Sequence, residues 1–175
     1  MTKTKLFLIL TGYQLTWLAC IFGEKNYSEP LIGFFTGLTF LLIYFTYTQN
    51  KKKFIYIILS IAIPGYLFDS ILVYISIYEF ISTMKIGLLP IWMLVLWLSF
   101  ATLFVEILVF FKNYKLIGIM LSAFLGPFTY YLGYPLEIIA IYNFYLFFLF
   151  MILFWISLMY FYLFFLIKKK YYSEA

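Results

Sequence analysis

The residue most able to carry chemistry is Asp69, which lies in the stretch GYLFDSIL (residues 65–72) inside an apolar run from Phe54 to Tyr78. Burying an ionised carboxylate in lipid costs at least about 2.5–3.5 kcal/mol, so we expect this side chain to face protein or water. It is either protonated and donates a hydrogen bond, or solvated in a cavity open to the outer side of a membrane. As a functional group it would accept a proton or bind a cation; as a structural group it would be a neutral acid that joins helices.

Three polar or aromatic residues are predicted at a depth in the membrane similar to that of Asp69. Gln14 and Trp17 lie on the first predicted helix, and Tyr130 follows a Gly-Pro pair in the fifth. Asn143, near the start of the sixth helix, is a further candidate for the lining of the same pocket. We therefore expect a small ligand-binding pocket in the outer half of the membrane, between the first, third and fifth helices.

Two pairs of proline and glycine are predicted to bend the helices that carry this pocket. Pro64 and Gly65 stand about one turn before Asp69, and Gly126 and Pro127 lie near the middle of the fifth helix. A proline inside a helix removes one backbone hydrogen bond, and broken helices near the midplane often build substrate sites in transporters.

A second acid, Glu106, is predicted to reach the cytoplasmic interface beside Lys112. The helical rise places it about 15 Å from Asp69 along the membrane normal, so the two carboxylates are not a catalytic pair.

The composition lacks most catalytic and metal-binding side chains. The chain has no His, no Arg and a single cysteine, Cys20. Zinc, haem and thiolate-cluster sites therefore lack their usual ligands, and we predict no metal and no cofactor. A Gly-rich phosphate loop and a Ser/His/Asp set are also missing. An enzyme is accordingly less expected than a binding or transport protein.

The 175 residues are 66% hydrophobic and 11% charged, whereas soluble domains carry roughly 25% charged residues. This composition predicts one transmembrane domain over residues 1–175. A retained first helix fits better than a cleaved signal or a lipidated Cys20. The predicted fold is all-α, a bundle of six membrane-crossing helices at about 6–22, 31–47, 54–78, 88–111, 116–133 and 138–167.

The distribution of lysines predicts the orientation. Ten of the twelve lysines lie near the two termini and in the connections after the second and fourth helices, whereas Lys25 and Lys85 lie in the other connections. Basic residues in short loops stay on the cytoplasmic side, so both termini are predicted to be cytoplasmic. The net charge of +5 is thus a topological signal and predicts no nucleic-acid partner. Four acids decorate the opposite side: Glu24, Glu29, Glu79 and Glu137.

Tryptophans and small residues are interpreted as membrane features. The four tryptophans, Trp17, Trp92, Trp97 and Trp155, are expected in interfacial belts or against lipid. Small residues spaced four apart predict close helix contacts, as at Gly33 and Gly37 and at Gly118, Ser122 and Gly126. They do not distinguish internal packing from dimerisation, so the oligomeric state stays open.

Four stretches, in order along most of the chain, resemble a family of small bacterial inner-membrane proteins of unknown function. They are GYQLTWLACIFG at 12–23, GYLFDSIL at 65–72, LPIWMLVLWLSFATLF at 89–104 and GPFTYYLG at 126–133. The resemblance implies a multi-pass protein of the bacterial cytoplasmic membrane. Members of that family are often encoded beside enzymes that modify fatty acyl chains, which implies a lipid-linked role without supplying a catalytic residue.

These features predict an integral membrane protein, surrounded by lipid, that binds or moves a small or lipid-like molecule through a polar pocket around Asp69. Two alternatives stay open. One is a membrane enzyme, or an enzyme accessory, acting in fatty-acyl or lipid modification. The other is a structural partner in a membrane assembly.

Overall fold

Six α-helices make up most of the structure, a computed structural model that describes residues 3–167. A 3₁₀ helix (Leu108–Lys112) follows the fourth α-helix, and a π-helical turn (Tyr162–Leu166) follows the sixth. The predicted number of helices is confirmed, while the lysines at 168–170 lie outside the described residues. The helices are α1 (Lys3–Tyr27), α2 (Pro30–Tyr47), α3 (Lys51–Tyr74), α4 (Ile91–Glu106), α5 (Lys115–Tyr131) and α6 (Phe144–Phe161).

Within residues 3–167, four helices are long and apolar enough to cross a membrane: α1, α2, α3, and α6 together with its π-helical turn. The apolar helix α4 has 16 residues, which span about 24 Å of a hydrocarbon core about 30 Å thick. Helix α5 is of similar length, with 17 residues. A multi-pass membrane protein is thus plausible from the four long helices, whereas crossings by α4 and α5 remain a prediction.

Four short strands depart from the predicted all-α fold. Strand β1 (Tyr78–Phe80) pairs antiparallel with β4 (Ile139–Ile141) and so joins the α3–α4 connection to the α5–α6 connection. Strands β2 (Lys85–Ile86) and β3 (Leu89–Pro90) form a hairpin. Gly87 in its turn has φ 63°, a conformation that glycine adopts without steric cost.

The strands also shorten two of the predicted helices. Helix α3 was expected to reach Tyr78 but ends at Tyr74, because the chain turns at Ser76, whose φ is 56°, and then enters β1. The sixth helix was expected from residue 138 but begins at Phe144. The Asn143 side chain accepts a hydrogen bond from the Leu146 backbone N–H at 3.0 Å and caps this helix.

The other predicted boundaries shift for similar local reasons. The fourth helix was expected over 88–111, but its first residues form β3 and its last turn is the 3₁₀ helix, which leaves Ile91–Glu106 as α-helix. The fifth, expected over 116–133, spans Lys115–Tyr131 and is followed by turns that lead to Glu137, with φ 60°.

Helix α4 lies at the centre of the packing, in contact with α1, α2 and α3, while α5 packs on α6. A Cβ added to Gly37 of α2 would come within 2.9 Å of both Thr16 of α1 and Val95 of α4. One added to Gly33 would similarly meet Cys20. The predicted close contact at these glycines is therefore confirmed as internal packing, and the space between α4 and α5 remains for the site described next.

Candidate functional site

Asp69 is completely buried and accepts hydrogen bonds from three elements other than its own helix. Its Oδ1 accepts from the Tyr78 hydroxyl of β1 at 2.7 Å. Its Oδ2 accepts from Trp97 Nε1 of α4 at 2.6 Å and from the Tyr130 hydroxyl of α5 at 2.7 Å. Three donors suit an ionised carboxylate, which only accepts hydrogen bonds, and such charge-assisted bonds offset part of the cost of burying it.

Helix α3 holds the Trp97 indole at two points. Gly65 and Asp69 are four residues apart and thus lie on one face of the helix. A Cβ added to Gly65 would overlap the six-membered ring of Trp97, while Asp69 binds the indole N–H of the same side chain. Helix α3 continues through Pro64. Of the Pro64–Gly65 pair, it is Gly65 that has a clear structural role, because its missing side chain leaves space for the Trp97 indole.

Helix α5 repeats this arrangement with a second indole. Trp155 of α6 stacks on Trp97, with ring centroids 5.8 Å apart and planes inclined by 20°. A Cβ added to Gly126 would overlap the Trp155 ring, and α5 continues through Pro127. The two stacked indoles, each lying on a glycine, thus connect α3 and α4 with α5 and α6.

A cavity of about 280 Å³ lies beside these rings, between α1, α4, α5 and α6. Among the described residues that line it, all four tryptophans are present and none is Asp, Glu or Lys. Its volume is roughly twice that of an engineered apolar cavity of about 150 Å³ that binds benzene. Asp69 does not line the cavity, but its partners Trp97 and Tyr130 do. The Asp69 carboxylate therefore holds two side chains of the cavity wall in place without itself lining the cavity.

A second buried acid, Glu24 of α1, binds the connection that carries β1 and β2. Its Oε2 accepts from Trp92 Nε1 at 2.8 Å and from the Ser82 hydroxyl at 2.6 Å, and its Oε1 accepts from the Thr83 backbone N–H at 3.0 Å. Trp92 also lines the cavity. Glu24 was expected on the outer surface, but with 7% of its surface exposed it is part of the buried polar network.

The structure brings together only part of the predicted pocket. Tyr130 contacts Asp69 as expected, and Trp17 lines the cavity. Gln14 is exposed on α1, and Asn143 is exposed at the start of α6, where it caps the helix. Neither joins the cluster around Asp69, and α4 takes the place expected for the first helix. A ligand-binding role for these residues stays a prediction.

Sequence reasoning missed Tyr78, Trp97 and Glu24. The tryptophans were expected at the interface or against lipid, yet Trp92 and Trp97 are 1% and 3% exposed. A signal was available in the sequence, because each buried acid needs a hydrogen-bond donor. A tryptophan indole N–H is a donor that an apolar segment can supply, so the tryptophans were candidates for this role. Glu106 lies at the end of α4 and is half-buried, and its separation from Asp69 stays a prediction.

Residues 3–167 contain no group of three or more His, Cys, Asp or Glu side chains that could hold an ion. Two tyrosine hydroxyls and the Trp97 N–H each present a hydrogen to the Asp69 carboxylate, so its oxygens are already occupied by donors.

Comparison with known proteins gives a family without a function. Residues 6–161 match a family described as "Protein of unknown function (DUF2878)". No curated protein and no solved structure matches the chain. Because the match covers most of its length, the chain belongs to this family of unknown function.

Proposed function

We propose that this protein binds a lipid-like molecule with a single apolar chain, in the cavity between α4 and α5. The observation that carries the proposal is the cavity of about 280 Å³, lined by aromatic and aliphatic side chains. Cavities that bind small molecules are mostly apolar with a few placed polar groups. Along α4 the lining runs from Trp92 to Phe104, about 18 Å at the helical rise, and Leu108 of the 3₁₀ helix continues it. This length favours an extended ligand.

In this proposal Asp69 is a positioning residue. Its hydrogen bonds with Trp97 and Tyr130 hold two side chains of the wall and engage their polar atoms outside the cavity. A carboxylate occupied by three donors is poorly suited to carry a proton or an ion through the protein. The arrangement therefore favours binding of an apolar molecule over ion or proton transport.

A structural role in a membrane assembly is the second candidate, since Asp69 is fully enclosed. The two candidates differ in one respect. A purely structural protein has no need of a specific ligand, whereas the proposed binding protein holds one.

We also propose that all six helices lie in the bacterial cytoplasmic membrane, with both termini on the cytoplasmic side. The support is the distribution of lysines along the sequence together with the four long apolar helices.

Quenching of intrinsic fluorescence tests the binding proposal, because all four tryptophans of the chain line the cavity. A brominated fatty acid methyl ester should quench purified wild-type protein saturably. Ser122→Leu places a larger side chain in the cavity wall and should weaken this quenching at least tenfold. The matched control is Ser157→Leu on the exposed face of α6, which should behave as wild type. Quenching that never saturates, or that is equal in both variants, would show that the cavity is not a binding site.

A further inference from the structure

Helix α1 carries two polar groups of the cavity wall that are open to a bound molecule. Tyr13 and Trp17 both line the cavity and, four residues apart, lie on one face of the helix. Among residues 3–167, neither the Tyr13 hydroxyl nor the Trp17 indole N–H forms a hydrogen bond. Both residues are half-buried and, unlike Trp155 Nε1, their polar atoms are not enclosed by protein atoms.

The Tyr13 ring extends from α1 toward the helices on the other side of the cavity. Its centroid lies 5.8 Å from that of Phe100 of α4, which also lines the cavity. Tyr13 also interacts electrostatically with Tyr130 of α5, another residue of the wall. Because the hydroxyl stands at the end of the ring farthest from α1, it lies on the cavity side of this helix.

The other polar side chains along the wall are already engaged or enclosed. Trp92, Trp97 and Tyr130 donate to the two buried acids. The hydroxyls of Ser122 and Thr129 donate to backbone carbonyls of their own helix, each at 2.8 Å. Among the described residues, the accessible side-chain polar atoms left free in the wall are therefore those of α1.

The depth of Tyr13 makes a free hydroxyl costly. In the proposed membrane placement, Tyr13 comes seven residues after Leu6, where the apolar span of α1 begins, or about 10 Å along the helix. The hydrocarbon at such a depth supplies no hydrogen-bonding partner. A phenol hydroxyl can donate or accept, so an oxygen atom of a bound molecule would satisfy it.

We infer that the ligand is a neutral lipid whose carbonyl or ester oxygen lies against α1 and accepts a hydrogen bond from the Tyr13 hydroxyl. This inference rests on the proposed function and names the chemical class of its ligand. A neutral molecule is required because no Asp, Glu or Lys side chain lines the described cavity, and a buried charge without a partner is costly. The Trp17 N–H, about one turn along the same face of α1, is available as a second donor.

Tyr13→Phe tests the assignment, because it removes the hydroxyl and keeps the ring. Affinities for a long-chain fatty acid methyl ester, and for the alkane of equal length, are measured by displacement of the brominated ester, whose own affinity is determined in each protein. Comparing each ligand between wild type and variant cancels its partition into detergent. The variant should bind the ester about three- to tenfold more weakly than wild type, the loss of one net hydrogen bond, and should bind the alkane equally.

Tyr27→Phe, at a site on the same helix that is 68% exposed, is the matched control and should bind both molecules as wild type does. An equal loss of ester and alkane affinity in Tyr13→Phe would overturn the inference, because the hydroxyl would then act on the cavity and not on the ligand oxygen.

Thermal unfolding of the lipid-free protein gives a second reading. Removing a hydroxyl that has no protein partner leaves no other group unpaired, so Tyr13→Phe should melt no lower than wild type. Tyr130→Phe, which removes a donor to Asp69, should melt lower. A lower melting temperature of Tyr13→Phe would show that its hydroxyl binds the protein, and would overturn the inference.

Infrared spectroscopy of a ¹³C-labelled ester carbonyl observes the hydrogen bond itself. The carbonyl band of the bound ester should lie at lower frequency in wild type than in Tyr13→Phe. Equal ester affinity in the two proteins, with no difference between the bands, would overturn the assignment of Tyr13 and leave the proposed function standing. Failure of wild type to bind either molecule would overturn both.

Discussion

At the scale of single residues, Asp69 shows how one buried carboxyl group can organise the side chains around it. Tyr78, Trp97 and Tyr130 lie far apart along the chain and converge on its two oxygens at 2.6 to 2.7 Å. The carboxylate therefore specifies which side chains meet, and the position of the cavity wall follows from that.

Replacing this acceptor should destabilise the fold. Asp69→Asn offers one acceptor oxygen and an amide N–H₂ that faces donors, so at least one partner is left unpaired. We expect a loss of about 1–3 kcal/mol in unfolding free energy, seen as a lower melting temperature in detergent. Tyr78→Phe and Tyr130→Phe should lower it less. Tyr74→Phe, at a site 77% exposed, is the control and should melt as wild type. Equal melting of Asp69→Asn and wild type would rule out the positioning role.

Glu79 in β1 provides a pH-dependent contact outside the long helices. A hydrogen bond from Lys85 at 2.9 Å, and a second from the Tyr142 hydroxyl, hold the pKa of Glu79 below its ordinary value. A lowered pKa means that the stabilisation is present above the ordinary pKa of glutamate and is lost as the pH falls through the folded value.

We therefore expect Glu79→Gln to lower the melting temperature slightly at pH 7, and the difference from wild type to shrink as the pH falls below the ordinary pKa of glutamate, about 4.3, and through the lower folded value. The effect is small because the pair is partly exposed, with 29% and 47% of the Lys85 and Glu79 side-chain surfaces accessible. High salt should reduce it further. A difference that persisted unchanged at pH 3 would contradict this assignment.

At the scale of elements, two glycines decide how closely the helices approach the stacked indoles. Gly65 of α3 leaves room for Trp97, and Gly126 of α5 leaves room for Trp155. The two indoles also stack on each other, so neither side chain can move away from its glycine without a shift of a helix.

Gly65→Ala and Gly126→Ala should each destabilise the protein by about 1–3 kcal/mol, because overpacking forces side chains or backbone to shift. Thermal unfolding measures the loss. In the double variant Gly126→Ala/Trp155→Phe the smaller ring should recover part of the stability lost by Gly126→Ala. Additive losses in the double variant would show that the two residues do not pack on each other.

The helices were predictable from sequence because long apolar runs between lysine clusters have few alternatives. The strands were not. Tyr78–Phe80 and Ile139–Ile141 are three-residue segments continuous with apolar runs, and periodicity cannot separate a short buried strand from the end of a helix. A signal for the start of α6 was present, since asparagine is a favoured N-cap, yet Asn143 was interpreted as a residue of the ligand-binding pocket.

The candidate site was predictable in part for a related reason. The expense of burying Asp69 pointed to protein partners, and Tyr130 was found among them. Trp97 and Tyr78 were missed because their approach depends on Gly65 and on the β1–β4 pairing, which are long-range features. Tryptophans are common at membrane interfaces, and this tendency favoured a prediction of exposed tryptophans over the buried indoles that the structure contains.

At the scale of the whole molecule, the lysines predict a single orientation that labelling can test. In a Cys20→Ser background, Lys52→Cys marks the α2–α3 connection and Ile86→Cys marks the β2–β3 hairpin. Retention of basic loops on the cytoplasmic side predicts that an impermeant maleimide labels intact cells only at Ile86→Cys. Lys52→Cys should react after permeabilisation. The opposite pattern would reverse the orientation of the whole bundle.

The binding proposal also belongs to this scale, because the cavity is formed by four helices and exists only in the assembled bundle. The deepest residues that line the cavity can be distinguished by exposure from outward-facing residues that do not line it. Met93 and Phe104 line the cavity and are 3% and 2% exposed, whereas Leu116 and Phe124 of α5 are 69% and 66% exposed.

Photolabelling with a fatty acid methyl ester that carries a diazirine on its chain, followed by mass spectrometry of peptides, tests occupancy of the cavity most directly. If a lipid-like molecule is held between α4 and α5, labels should appear on Met93 and Phe104, and unlabelled ester should compete them away. Labels confined to outward-facing positions such as Leu116 and Phe124, insensitive to competitor, would contradict it.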